Sequence, residues 1–208
     1  MDWTTLLAGS RKALRDALDP GRGDAPMTWA DADVVVVPTA GAFSGLEVAA
    51  TALARVFEGR GARVEALMIA QRRDADDGYF AARVASADVV ALTDGSPLHA
   101  MSVWRTTAVG SALSGAARLI AVGSVATVLG EVMIDPRGGA PTNGLSYRRG
   151  LAVCVSASDA QLERTRTLLG DEVTLAAMGP DGVLVECAGT WRASGDVVVT
   201  RGARVVQL

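Results

Sequence analysis

The sequence predicts an α/β protein in which a mainly parallel β-sheet lies between two layers of helices. Half of the residues are hydrophobic but only 4% are aromatic, so the interior must consist mostly of Ala, Val and Leu. Several short apolar runs lack polar alternation, as strands covered on both faces by helices do. Helical patterns follow most of these runs, and repeated strand–helix units with short connections require a parallel sheet.

Strands and helices alternate along most of the chain. The predicted strands are 4–8, 34–37, 64–69, 89–92, 119–122 and 151–155. The predicted helices are 9–18, 46–57, 78–85, 97–112, a helix from about residue 124, and 159–169. Four short runs separated by glycine-containing turns follow, VTLAAM, GVLVEC, DVVVT and ARVVQL, and they predict an antiparallel extension of the sheet.

Composition and charge exclude several classes of protein. The net charge is −3 and the basic residues are scattered, which predicts no nucleic-acid partner. The N-terminus lacks the features of a signal peptide, and glycines and Glu131 interrupt the longest apolar run, 119–134, so we expect no membrane span. Cys154 and Cys187 are expected to be reduced core residues. We expect one cytoplasmic domain, 1–208, without metal or cofactor.

The loops that follow the predicted strands are the candidate functional loops, because ligands bind at the carboxyl ends of parallel strands. Two of them, Thr93-Asp94-Gly95-Ser96 and Gly123-Ser124, lead directly from a strand into a helix. Their backbone N–H groups are therefore candidates to bind an anion or a developing oxyanion. The mixed-charge run RRDADD at 72–77 lacks a metal-ligand pattern, and GSVATVLG lacks the lysine of a phosphate-binding loop.

Ser124 and His99 are the candidate nucleophile and base. A nucleophile elbow has glycine two residues before and two after its serine, but these positions are Val122 and Ala126, so the local pattern favours a helix cap at Ser124. His99 is the only histidine. It lies in the first turn of the helix that begins at Pro97, where the helix dipole favours the neutral imidazole. A histidine without a catalytic role is the alternative.

Five segments together resemble the serine peptidases of the S51 type, cyanophycinase and aspartyl dipeptidase, within the class I glutamine amidotransferase-like fold. They are VVVVPTAGAFSG, RRDADD, ADVVALTDGSPLHAM, LIAVGSVATVLGE and GLAVCVSAS, in that order. The resemblance runs from about Thr4 to the end of the chain. It implies a flavodoxin-like α/β/α sandwich with added strands, Ser124 at the nucleophile position, oxyanion donors at the Gly95 and Val125 amides, and a homodimer.

The sequence departs from the family pattern at the positions that take part in catalysis in the family. Val122–Thr127 keeps the serine of the family's Gly-Thr-Ser-Ala-Gly-Ala elbow and loses both flanking glycines. Thr93–Ser96 resembles the family's Thr-Gly-Gly-Asp/Asn loop, with Asp94 in place of the first glycine and Ser96 in place of the acid or amide. Ser156 stands at the position of the catalytic histidine, in place of the second residue of a Pro-His pair.

Three functions are compatible with this pattern. The leading hypothesis is an S51-like protein that has lost its catalytic histidine, is inactive or vestigial as a peptidase, and binds a small peptide, amide or other ligand or a partner. The alternative is an active serine hydrolase on a peptide or amide, with Ser124 as nucleophile and His99 as recruited base. The third is a non-catalytic subunit of an oligomer. Candidates for holding an acidic group are Arg105, Arg137, Arg148 and Arg149.

Overall fold

Two β-sheets and flanking helices make up residues 3–19, 21, 24–25, 27–202 and 204–206, which this computed structural model describes. The strands are β1 (Trp3–Ala8), β2 (Asp33–Val37), β3 (Arg63–Ala66), β4 (Val89–Leu92), β5 (Leu119–Val122), β6 (Gly130–Ile134), β7 (Pro141–Asn143), β8 (Arg148–Val155), β9 (Thr174–Met178), β10 (Val183–Cys187), β11 (Thr190–Ser194), β12 (Val197–Arg201) and β13 (Arg204–Val205). The α-helices are α1 (Arg11–Ala17), α2 (Leu46–Glu58), α3 (Arg72–Ala75), α4 (Gly78–Ser86), α5 (Pro97–Trp104), α6 (Ala108–Ser114) and α7 (Asp159–Leu169). Two 3₁₀ helices are η1 (Thr39–Phe43) and η2 (Gly123–Val128).

The first sheet has the strand order β11-β10-β1-β5-β4-β2-β3. Strands β1, β5, β4, β2 and β3 are parallel, and β10 and β11 add an antiparallel edge beside β1. All residues of β4 and β5 are buried, which explains why these strands read as continuous apolar runs. The predicted α/β class, with its mainly parallel sheet and an antiparallel extension, is confirmed. Of the four C-terminal runs predicted to form that extension, only GVLVEC joins this sheet within the described residues, as β10. VTLAAM and DVVVT lie in a second sheet, where VTLAAM pairs in parallel with β8.

A second sheet has the order β13-β12-β9-β8-β6-β7, with β6, β8 and β9 parallel. The strand predicted at 151–155 lies in this sheet and not in the first one. Its residues Leu151 and Val153 belong to the same buried cluster as Leu7 of β1, so the two sheets share one hydrophobic core.

The chain after Ser124 differs from the predicted helix, because η2 is followed at once by strand β6. The β-branched residues Val125, Thr127 and Val128 lose side-chain freedom in an α-helix. Gly130 then packs against β8 so closely that a Cβ there would lie 2.3 Å from the Leu151 carbonyl oxygen. Tertiary contact with β8 therefore stabilises an extended strand in this segment.

The helix predicted at 97–112 is divided into α5 and α6. Thr106 has a φ of +56° between them, and the Thr107 hydroxyl accepts from the Gly110 amide at 3.2 Å to start α6. None of the helices in the described ranges has both the length and the apolar character needed to cross a membrane.

An ion pair between Arg148 of β8 and Glu186 of β10 connects the two sheets. Arg148 Nε lies 2.9 Å from Glu186 Oε2, and the two side chains are only 13% and 18% exposed. Arg148 Nε also donates to Thr5 Oγ1 at 2.6 Å. The hydroxyls of Thr4 and Thr5 donate to Glu186 Oε2, so this carboxylate is held by three side chains.

Candidate active site

Ser124 lies at the start of η2, directly after β5, where the chain meets the loop that follows β4. The Ser124 amide donates to Asp94 Oδ1 at 2.8 Å, and the Gly95 amide donates to the same oxygen at 2.8 Å. The two loops are brought together because β4 and β5 are parallel neighbours, with Leu92 paired to Ala121. The adjacency of these loops at the carboxyl edge agrees with the predicted parallel sheet.

Gly123 makes room for this contact. It has a φ of +67°, and a Cβ at this position would lie 2.2 Å from Asp94 Cγ. A side chain at residue 123 would therefore be strained and would collide with the carboxyl group.

The Asp94 carboxylate occupies the space to which the Gly95 and Ser124 amides point. The Gly95 amide, a predicted oxyanion donor, is therefore already bonded to a negative charge of the same chain. A substrate oxyanion would have to displace that carboxylate to reach the Gly95 amide. Val125, the other predicted donor, follows Ser124 in η2 and has a fully buried side chain.

Ser124 and Ser156 line one pocket, which we call the Ser124 pocket. Its lining residues are Pro97, Ser124, Thr127, Ile134, Asp135, Pro136, Gly139, Cys154, Val155, Ser156, Ala157 and Gln161. Ser156 is exposed at the end of β8, with a φ of +52° and its amide donating to the Met178 carbonyl at 2.8 Å. The structure thus brings together the predicted nucleophile position and the position of the family's histidine.

Two ionisable side chains line the Ser124 pocket. Asp135 is bound by Arg137, whose Nη2 lies 2.9 Å from Asp135 Oδ2, and the hydrogen bonds from Arg137 hold the pKa of Asp135 below its usual value. Burial raises the pKa of the Cys154 thiol to about 11. At neutral pH Cys154 is therefore protonated and is a poor nucleophile.

His99 makes its contacts away from the Ser124 pocket and is not among its lining residues. Its Nε2 lies 2.9 Å from the Ala70 carbonyl oxygen, and because a carbonyl only accepts, Nε2 carries the proton. The ring also packs edge-on against Phe43, with 5.1 Å between ring centroids. Although α5 contacts η2, these two interactions hold the imidazole against the loop after β3 and against η1.

Three of the four candidate arginines have partners within the chain. Arg148 pairs with Glu186, Arg137 pairs with Asp135, and Arg105 Nη2 donates to the Asn143 carbonyl at 2.8 Å. Arg149 is exposed. The hydrogen bonds of Asp94 with the Gly95 and Ser124 amides were not predicted from the sequence. The available signal was an acidic residue at a position where the resemblance implies glycine.

The strand order and the turn after β5 define a mixed α/β fold with a mainly parallel core sheet, as the resemblance implies. The implied fold is thus confirmed.

Two solved structures share this fold. A peptidase from an acI-B1 Actinobacterium has a TM-score of 0.76 and 18% identity, and the match covers 100% of this chain and 95% of that one. A candidate Peptidase E protein from Listeria monocytogenes EGD-e has a TM-score of 0.62 and 12% identity, covering 96% of this chain and 98% of that one. At these identities the likeness is one of fold. No family model and no curated protein matches the sequence.

Proposed function

We propose that this protein has a peptidase-like fold but does not hydrolyse peptides, and that its serine pocket binds a small polar ligand without cleaving it. The observation that carries the proposal is the position of His99, the only histidine of the sequence, which bonds to Ala70 and does not line the Ser124 pocket. A serine hydroxyl needs an adjacent base to act as a nucleophile at neutral pH. Without one, the rate falls by on the order of 10⁴-fold or more.

The Asp94 carboxylate supports the same proposal independently. It accepts hydrogen bonds from the amides of Gly95 and Ser124, so the Gly95 amide, one of the two oxyanion donors that the resemblance implies, faces a negative charge. Loss of one oxyanion-hole donor in a serine hydrolase costs about 10²–10³-fold in rate. A missing base and an oxyanion donor already bound by Asp94 together weaken both kinds of assistance that Ser124 would need.

The Ser124 pocket retains groups that suit a polar ligand. Ser124 and Ser156 line it beside the apolar residues Ile134 and Val155. Such a mixture of a few polar groups and apolar walls is typical of small-molecule sites. We therefore favour ligand binding as the retained function of this pocket.

Ester hydrolysis tests the proposal. We expect the native protein, Ser124→Ala and His99→Ala to hydrolyse p-nitrophenyl acetate at the same slow rate, because neither residue takes part in catalysis. Stopped-flow absorbance at neutral pH measures these rates, with circular dichroism to confirm folding. A large loss of rate in both variants would show a working Ser124–His99 pair and would overturn the proposal.

A further inference from the structure

A second cavity opens at the same edge of the first sheet, on the other side of Asp94. Its polar lining residues are Arg11, Ser44, Thr93 and Asp94, and its apolar lining residues are Val48, Ala49, Ala52, Leu53 and Val122. We call it the Arg11 pocket. It shares no lining residue with the Ser124 pocket, and the two meet at the hydrogen bond between Asp94 and the Ser124 amide.

The Arg11 pocket carries one positive and one negative side chain. Arg11, the first residue of α1, is exposed, and its guanidinium makes no hydrogen bond or ion pair with any residue that the structure describes. Asp94 is also exposed, and one oxygen of its carboxylate is fixed by two backbone amides. Within the described residues Arg11 and Asp94 form no ion pair with each other, so both charges are available to a ligand.

Thr93, a lining residue of this pocket, has an unsatisfied hydroxyl. Its side chain is buried, with 3% of the residue exposed, and Oγ1 has no hydrogen-bond partner within the described part of the chain. A buried hydroxyl without a partner is unfavourable. Oγ1 lies beside η1, 3.5 Å from where a Cβ of Gly41 would stand.

The remaining wall is aliphatic. Val48, Ala49, Ala52 and Leu53 form one face of α2, and Val122 closes the end of β5. No aromatic ring is among the lining residues, and the two alanines leave room beside the helix. This wall favours a short aliphatic chain over a planar ring.

We propose that the Arg11 pocket binds a free α-amino acid with an aliphatic side chain. Arg11 pairs with the ligand's carboxylate, the free oxygen of Asp94 accepts from its ammonium group, and the side chain packs against α2. A ligand with only one of the two charges is repelled by Arg11 or by Asp94, whereas a zwitterion complements both. This binding does not depend on whether Ser124 is a nucleophile.

Isothermal titration calorimetry with L-leucine tests the proposal. We expect millimolar or tighter binding of L-leucine, and about tenfold weaker binding of 4-methylpentanoate, which lacks the ammonium, and of 3-methylbutylamine, which lacks the carboxylate. Arg11→Gln and Asp94→Asn are each expected to weaken L-leucine binding by about tenfold. Arg15→Gln removes the same charge from the same helix outside the pocket and is the matched control, with unchanged binding.

Three results would overturn the proposal. The first is the absence of binding heat for L-leucine in the folded native protein. The second is equal affinity for L-leucine and 4-methylpentanoate, which would define a simple anion site. The third is L-leucine binding that Arg11→Gln leaves unchanged. Melting curves of each variant without ligand exclude loss of folding as the cause of lost binding, and the ester hydrolysis assay reports separately on Ser124.

Discussion

Replacing Ser156 with histidine, together with Asp94→Gly, is expected to raise the rate of Ser124 acylation by about 10²-fold or more, the usual contribution of a positioned general base. Ser156 lines the same pocket as Ser124 and has a φ of +52°, a conformation that is uncommon for residues other than glycine. An imidazole there would enter the pocket of the serine. Removal of the Asp94 side chain would free the Gly95 amide for an oxyanion.

Single-turnover release of p-nitrophenol measures this gain, and Ser124→Ala in the same background is its control. The gain must vanish in that control, because an imidazole can itself react with an activated ester. A gain that survives Ser124→Ala, or a folded Ser156→His/Asp94→Gly protein as slow as the native one, would contradict the role of position 156.

The substitution Arg148→Ala is expected to lower the free energy of unfolding by about 2–4 kcal/mol, close to the cost of breaking a buried ion pair. It leaves the largely buried Glu186 carboxylate with the Thr4 and Thr5 hydroxyls but without its cation. It also removes a connection between β8 and the first sheet. Urea unfolding followed by circular dichroism measures the change.

Arg149→Ala is the matched control for Arg148→Ala, because the neighbouring residue has the same charge but is exposed. Its effect on the free energy of unfolding is expected to stay within about 0.5 kcal/mol, as for most surface substitutions. If both variants lowered the free energy of unfolding equally, the cause would be the loss of a positive charge and not the loss of the Arg148–Glu186 pair.

The central strands were predictable from the sequence because helices cover both of their faces. Residues 34–37, 89–92 and 119–122 are continuous apolar runs, and all are buried strand residues. The segment after Ser124 was not predictable in the same way, because an apolar run of this kind is compatible with a helix or a strand. The contact of Gly130 with Leu151, which is distant along the chain, favours the strand.

The sequence predicted which loops form the candidate site but not the hydrogen bonds within it. A parallel sheet places the ends of neighbouring strands at one edge, and the loops carrying Asp94 and Ser124 do meet there. The bond itself depends on the register of β4 and β5 and on the space left by Gly123, which the sequence does not reveal. The bond of His99 to Ala70 likewise depends on how the loop after β3 lies against α5.

Reaction with a fluorophosphonate, followed by intact-protein mass spectrometry, tests most directly whether Ser124 has an effective base. Such a reagent phosphonylates an activated serine and releases fluoride, so each reacted molecule gains the mass of one phosphonyl group. For the native protein at neutral pH we predict no adduct above the level of Ser124→Ala. The contradicting result is one adduct on each native molecule and none on Ser124→Ala or His99→Ala. It would show that His99 acts as a base for Ser124.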